Sequence, residues 1–220
     1  MKPVDSILHH RIVEPRGPRV KSHPALILLH GRGADEEDLL GLSSYLDKRF
    51  LIIGVRAPYP FPYSGGFTWY DADVVGTPDP EMFKASYEKL STFVTETLDR
   101  YPIDPGQLYL LGFSMGTVMS YALALTHPGL CRGVVANSGY VAEGTHLTYL
   151  WDKLEKTEFF VAHGTEDPVI PILAARRAKE MLERAHARFD YREYLMGHEI
   201  SEQCLLDFSA WLTRHLDATS

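Results

Sequence analysis

The chain has 220 residues, of which 45% are hydrophobic, and a net charge of −7. Such a length suits one domain over 1–220 with a sizeable core, and the composition argues against disorder. The acidic balance and scattered basic residues argue against nucleic acid as a partner.

Two cysteines, Cys131 and Cys204, form no CxxC pair and no metal-ligand spacing, which excludes a disulfide or zinc framework as the organising principle. The start MKPVDSILHH lacks the apolar core of a signal peptide. No apolar run approaches the roughly 18 residues of a membrane span. A soluble, cytoplasmic protein without membrane insertion is expected.

In chain order, 7–13 reads as a first strand. The runs ALILLH at 25–30 and FLIIGV at 50–55 are continuous apolar stretches, as in strands covered on both faces. Between them, 35–46 reads as a helix whose acidic first turn suits the helix dipole. The acidic run itself reads as a solvated helix start and not as a metal site.

Residues 58–80, rich in Pro, Gly and aromatics, read as a long loop, and 81–100 as a helix. A strand is predicted over 107–113, then a helix over 115–126 that is apolar nearly all round and hence buried. Strands at 132–137 and 158–162, an amphipathic helix at 172–188, an alternating strand at 189–195 and a helix at 201–216 complete the chain. The alternation implies an α/β fold with a mostly parallel sheet. Sites in such sheets form at the carboxyl ends of strands.

The stretch LLGFSMGTVM places Ser114 at a strand end with a helix starting at the next residue. Gly112-x-Ser114-x-Gly116 in that context is a nucleophile elbow. Glycines two before and two after the serine remove side chains that would crowd the turn. The hydroxyl is left at a helix N-terminus, where N–H groups favour developing negative charge.

A serine needs a base, and the base an orienting acid, in the order Ser, acid, His for this fold. Asp167, before Pro168, is the expected acid and Glu166 its competitor; an Asp-Pro dipeptide is also a common turn. His198, in MGHEIS between the last strand and the last helix, is the expected base. His9, His10, His23, His127, His146, His163 and His186 fit that position less well. LLHGRG ends a strand and supplies a Gly-rich loop, so the backbone N–H groups of Arg32 and Met115 are assigned to an oxyanion hole. His30 reads as a buried, hydrogen-bonded positioner. No GxxxxGK[ST] phosphate loop is present.

Taken together, LLHGRGADEEDLL, GGFTWYD, LLGFSMG, HGTEDPVIP and MGHEIS resemble, in order and over nearly the whole chain, the carboxylesterase/phospholipase family of α/β-hydrolases, which includes acyl-protein thioesterases. The resemblance implies an α/β-hydrolase fold with helices on both faces of the sheet and no large lid domain. It implies Ser114, Asp167 and His198 as the triad, Arg32 and Met115 at the oxyanion hole, and Trp69 lining the acyl side of the cleft. It implies no cofactor. Family members often dimerise, so a homodimer is among the expected states.

Arg32 stands where thioesterase-like members commonly carry Leu, and Met115 where they often carry Gln. These departures bear on substrate choice, not on an oxyanion hole built from backbone. The 58–80 loop resembles that of small bacterial carboxylesterases.

The expected activity is a serine carboxylesterase acting on a small-molecule ester of short to medium acyl chain, through an acyl-enzyme. Trp69, with Phe67 and Tyr70, would wall a short apolar cleft, although such aromatics also serve to pin a long loop to a core. A thioesterase or lysophospholipase acting on long acyl chains is the alternative. A serine peptidase or a non-catalytic binding module on a hydrolase scaffold are remoter readings.

Overall fold

A computed structural model describes residues 3–17, 20–63, 65–74 and 76–218. Strands are β1 (His10–Val13), β2 (His23–Leu29), β3 (Leu51–Val55), β4 (Tyr59–Pro60), β5 (Phe67–Thr68), β6 (Ile103–Phe113), β7 (Gly133–Asn137), β8 (Glu158–Gly164) and β9 (Arg188–Tyr194). Helices are α1 (Pro80–Arg100), α2 (Met115–Thr126), α3 (Leu173–Arg184) and α4 (Glu202–Asp217).

The main sheet has seven strands in the order β1-β3-β2-β6-β7-β8-β9. Only β1 pairs antiparallel, with β3; all other neighbours in this sheet are parallel. The central strands are apolar on both sides because both sides are covered. On one face Ile27, Leu110 and Val134 share a core with α1, α2 and α3 through residues such as Phe93, Val118 and Leu182. On the other, Leu28, Leu111 and Val135 pack against Phe208, Trp211 and Leu212 of α4. The period-two alternation of β-strand side chains sends neighbouring residues into different cores.

Local signals place the helix ends. Asp79 caps α1 by accepting from the Met82 N–H at 2.8 Å, with Pro80 at the first helical position. Ser201, expected inside the last helix, is its N-cap and accepts from the Cys204 N–H. α2 spans the residues expected for it.

Three expectations are corrected. Residues 35–46 do not form an α-helix. They make successive turns and a 3-10 helix over Leu39–Ser44. Asp35 turns its carboxylate onto the Glu37 N–H, giving the backbone an alternative to helical bonding. Glu36 is buried under a two-pronged pair with Arg56 at 2.6 Å per contact. The Glu36 carbonyl lies 2.1 Å from where a Cβ on Gly54 would be, so this segment packs directly on β3.

The amphipathic helix ends at Arg184 and not at 188. His186 adopts φ 51°, and the N–H groups of His186 and Ala187 bond back to Glu183 and Leu182. That is a Schellman stop built without glycine. Finally, the 58–80 loop contains the small β4–β5 hairpin, and β5 is tied through Phe67 to Gly33 and Ala34.

Candidate active site

The carboxyl ends of β6, β8 and β9 and the loop after β2 converge on one cleft. At the end of β6, Ser114 sits at φ 55°, ψ −119°, a left-handed conformation that an L-residue adopts only when its surroundings enforce it. Its N–H donates to the Asn137 carbonyl at 3.0 Å, which also accepts from Thr117 Oγ1 at 2.6 Å. A Cβ on Gly112 would lie 2.4 Å from the Thr117 nitrogen, and one on Gly116 would lie 1.8 Å from the Leu29 carbonyl oxygen. The glycines therefore do different work. Gly112 lets the turn close on itself, and Gly116 lets α2 lie against β2.

His198 comes from the β9–α4 loop. Its Nε2 is 3.0 Å from Ser114 Oγ and its Nδ1 is 2.8 Å from Asp167 Oδ2. A carboxylate only accepts, so Nδ1 carries the proton and the Nε2 lone pair faces the serine hydroxyl. Phe113 packs its ring against the imidazole, centroids 5.0 Å apart. Asp167 Oδ1 accepts from the Val169 and Ile170 N–H groups, each at 2.8 Å. Burial pushes the Asp167 carboxyl up. The hydrogen bonds from His198, Ile170 and Val169 outweigh it and hold the pKa below the ordinary value. Glu166 is exposed and points no contact at the imidazole.

Sequence reasoning passed over two supporting groups. His163, wholly buried at the end of β8, donates from Nε2 to the Ile170 carbonyl at 2.8 Å and lies 3.3 Å from Asp167 Oδ2. Burial lowers its pKa, so it stays neutral. Gly164, next to it, would place a Cβ 2.2 Å from the Met196 carbonyl, so the histidine loop lies directly on β8. Its neighbourhood to Asp167 in HGTED was the available signal.

The loop after β2 reaches the serine because Gly31 lacks a side chain; a Cβ there would lie 3.3 Å from the Ser114 Cβ. Buried His30 donates from Nδ1 to the Gly31 carbonyl at 2.7 Å and accepts from the Ala57 N–H at 3.0 Å. Burial lowers its pKa, which keeps that tautomer neutral. The N–H of Met115 is the first of α2, so it has no helical acceptor. Arg32 N–H and Met115 N–H have no hydrogen-bond partner among the described residues.

A cleft of about 170 Å³ opens beside Ser114, lined among others by Arg32, Met115, Tyr70, Tyr140, Val169 and Ile170. Of the three aromatics expected to wall it, only Tyr70 does so, with its hydroxyl 3.2 Å from that of Tyr140. Burial, reinforced by Tyr140, holds the Tyr70 phenol well above its ordinary range. Trp69 is fully buried away from the cleft. Its indole N–H donates to the His30 carbonyl at 3.0 Å, and Ser86 Oγ donates to its own carbonyl. Phe67 lies under the Arg56 guanidinium, 4.4 Å from the ring centroid. A large indole with one donor is best satisfied inside the core, where it ties the aromatic loop to the loop after β2. Tyr140 and Val169, which follow β7 and β8, were missed; their position just past strand ends was the signal.

No group of three or more His, Cys, Asp or Glu side chains poised for a metal occurs among the described residues. No described helix is long and apolar enough to cross a membrane.

The sheet order, the serine turn after β6 and the acid and histidine after β8 and β9 are those of an α/β-hydrolase. The chain belongs to the phospholipase/carboxylesterase family, whose model matches residues 9–216. It is thus a member of a hydrolase family, and its named relatives include acyl-protein thioesterases and carboxylesterases.

Among curated relatives, acyl-protein thioesterase 1 of Kluyveromyces lactis is 26% identical over 217 residues, covering 89% of this chain and 95% of its own. Carboxylesterase SOBER1 of Arabidopsis thaliana is 26% identical over 119 residues, 53% of this chain and 52% of its own. Among solved structures, the Bacillus cereus carboxylesterase superposes with TM-score 0.83 at 24% identity, covering 96% of this chain and 95% of that one. The fold likeness extends to the Mesorhizobium loti carboxylesterase, with TM-score 0.84, 21% identity and coverage of 97% and 98%.

Proposed function

We propose that the protein is a serine carboxylesterase, cofactor-independent, that hydrolyses short- to medium-chain esters through an acyl-enzyme. The observation that carries this reading is the unbroken chain Ser114 Oγ–His198 Nε2, His198 Nδ1–Asp167 Oδ2 at 3.0 and 2.8 Å, mounted on a left-handed serine.

In acylation the Ser114 oxygen bonds to the ester carbonyl carbon as its proton passes to His198 Nε2. The carbonyl electron pair moves onto oxygen, and the N–H groups of Arg32 and Met115 stabilise that oxyanion. Collapse of the intermediate breaks the bond to the alcohol oxygen, which leaves with the proton from His198. Water then repeats the sequence: His198 takes its proton, the hydroxyl oxygen bonds to the acyl carbon, and Ser114 leaves reprotonated. Asp167 fixes the imidazole tautomer and supports its transient positive charge.

The size of the cleft favours small acyl groups, with kcat/KM rising about fourfold per methylene and levelling near roughly six to eight carbons. A second reading has its own support. A groove of about 740 Å³, lined by Leu173, Ala174 and Met181, shares Asp73, Tyr140 and Val169 with the cleft. That groove suits a long acyl chain, as in a thioesterase or lysophospholipase.

The test has two parts. A fluorophosphonate should label Ser114 alone, and Ser114→Ala should lose turnover by several orders of magnitude while remaining folded; an adduct on another serine would overturn the assignment. Across p-nitrophenyl esters from acetate to palmitate, a steady rise through twelve or more carbons would replace the short-chain reading with the long-chain one.

A further inference from the structure

We infer that Arg32 makes the cleft selective for esters that carry a carboxylate. This deepens the esterase reading and rests on it. Arg32 serves the proposed oxyanion hole only through its backbone; its side chain is free to do something else, and it lines the cleft next to Ser114. The guanidinium is held there by neutral groups. It donates to the Ala72 carbonyl at 3.4 Å and lies 5.7 Å from the centre of the Phe61 ring.

Among the described residues no carboxylate pairs with it. By contrast Arg56 is committed to Glu36, Arg176 to Glu193 and Arg177 to Glu143. Arg32 is exposed, so its guanidinium is open to an incoming group at the cleft that it lines. Asp73 also lines the cleft, but it borders the neighbouring groove as well and forms no ion pair with Arg32.

The cleft lining adds two phenols, Tyr70 and Tyr140, whose hydroxyls bond to each other at 3.2 Å. A planar five-donor guanidinium with a hydroxyl donor nearby fits a carboxylate, which accepts two parallel N–H bonds. A carboxylate gains a charge-assisted pair with the guanidinium that a neutral alkyl chain cannot make. The ligand is therefore an ester whose acyl or alcohol half ends in a carboxylate, such as a half-ester of a dicarboxylic acid.

The experiment measures kcat/KM by pH-stat for two anionic esters, each against its neutral primary amide. Monomethyl glutarate carries the carboxylate on the acyl side, and 3-acetoxypropanoate carries it on the alcohol side. The ratio of anion to amide cancels any loss of activity common to both. For at least one pair, the unsubstituted protein should favour the anion about tenfold or more, and the preference should shrink as salt is raised. Arg32→Gln should abolish it, and Asp73→Asn should enlarge it. Ratios at or below one for both pairs, or a preference that survives Arg32→Gln, would overturn the inference. Fluorophosphonate labelling of Ser114, run alongside, separates this failure from failure of the esterase reading, in which neither labelling nor turnover of any ester is seen.

Discussion

Asp167 and Glu166 are adjacent carboxylates with opposite circumstances. Asp167 is buried, and its two oxygens receive the Val169 and Ile170 N–H groups, His198 Nδ1 and, more distantly, His163 Nε2. Glu166 faces solvent. Asp167→Asn would replace one acceptor oxygen by a donor and favour the wrong imidazole tautomer, so kcat on p-nitrophenyl acetate should fall about 10³–10⁴-fold. Glu166→Gln should stay within about twofold. A larger loss from Glu166→Gln would move the acid to that residue. Ser114, Asp167 and His198, which the structure brings within hydrogen-bond distance of one another, were all legible as residues, because chain order and punctuation by Gly and Pro are local properties. Trp69 was not. Whether an indole lines a cleft or fills a core depends on what packs around it, and here its N–H is taken by the His30 carbonyl.

At the scale of elements, the β6–α2 unit depends on Gly116, because a methyl there would lie 1.8 Å from the Leu29 oxygen and 2.4 Å from the Leu29 carbon. Both are backbone atoms of a central strand and cannot swing aside. Gly116→Ala should lower the stability by about 3 kcal/mol, read from the urea denaturation midpoint. Gly41→Ala, whose added methyl meets nothing within 4 Å, should change it by less than about 0.5 kcal/mol. Equal effects from the two substitutions would mean that α2 can slide off β2 at no cost.

Continuous apolar runs made the central strands and α2 readable. Residues 35–46 defeated the reading because helical spacing there competes with the Asp35 turn and the buried Glu36–Arg56 pair. Arg56 lies just past β3, distant in sequence, so no local pattern announces it.

For the molecule as a whole, titration of buried groups sets the pH range of stability. His10, His30 and His163 are each held below the ordinary histidine pKa of 6.5, chiefly by burial. Below that pH the unfolded chain binds protons that the folded one refuses. Stability therefore falls on acidification, by up to about 1.4 kcal/mol per histidine per pH unit. Glu36 and Asp167, whose folded pKa values are depressed despite burial by the Arg56 pair and by the His198 and backbone bonds, act in the same sense lower down. Their contributions are present above the ordinary carboxylate pKa and vanish as pH drops through the folded value. Asp38, raised by burial, opposes them only in the carboxylate range. The thermal midpoint should hold steady from pH 8 to 7 and fall clearly between pH 6.5 and 5. A midpoint that is flat or higher at pH 5 would contradict burial of neutral histidines.

The amino-acid order by itself determined the alternation of strands and helices, the turn at Ser114 and the chain order of Ser114, Asp167 and His198. These follow from periodicity, from glycine and proline, and from the short-range geometry of a strand feeding a helix. Only the tertiary structure decided which aromatics face the cleft, that Asp167 and His163 share one buried site, and that Arg32 has no acidic partner among the described residues. Those facts depend on contacts between residues far apart in the chain, and the energy of burying a polar or charged group is fixed by what surrounds it in space.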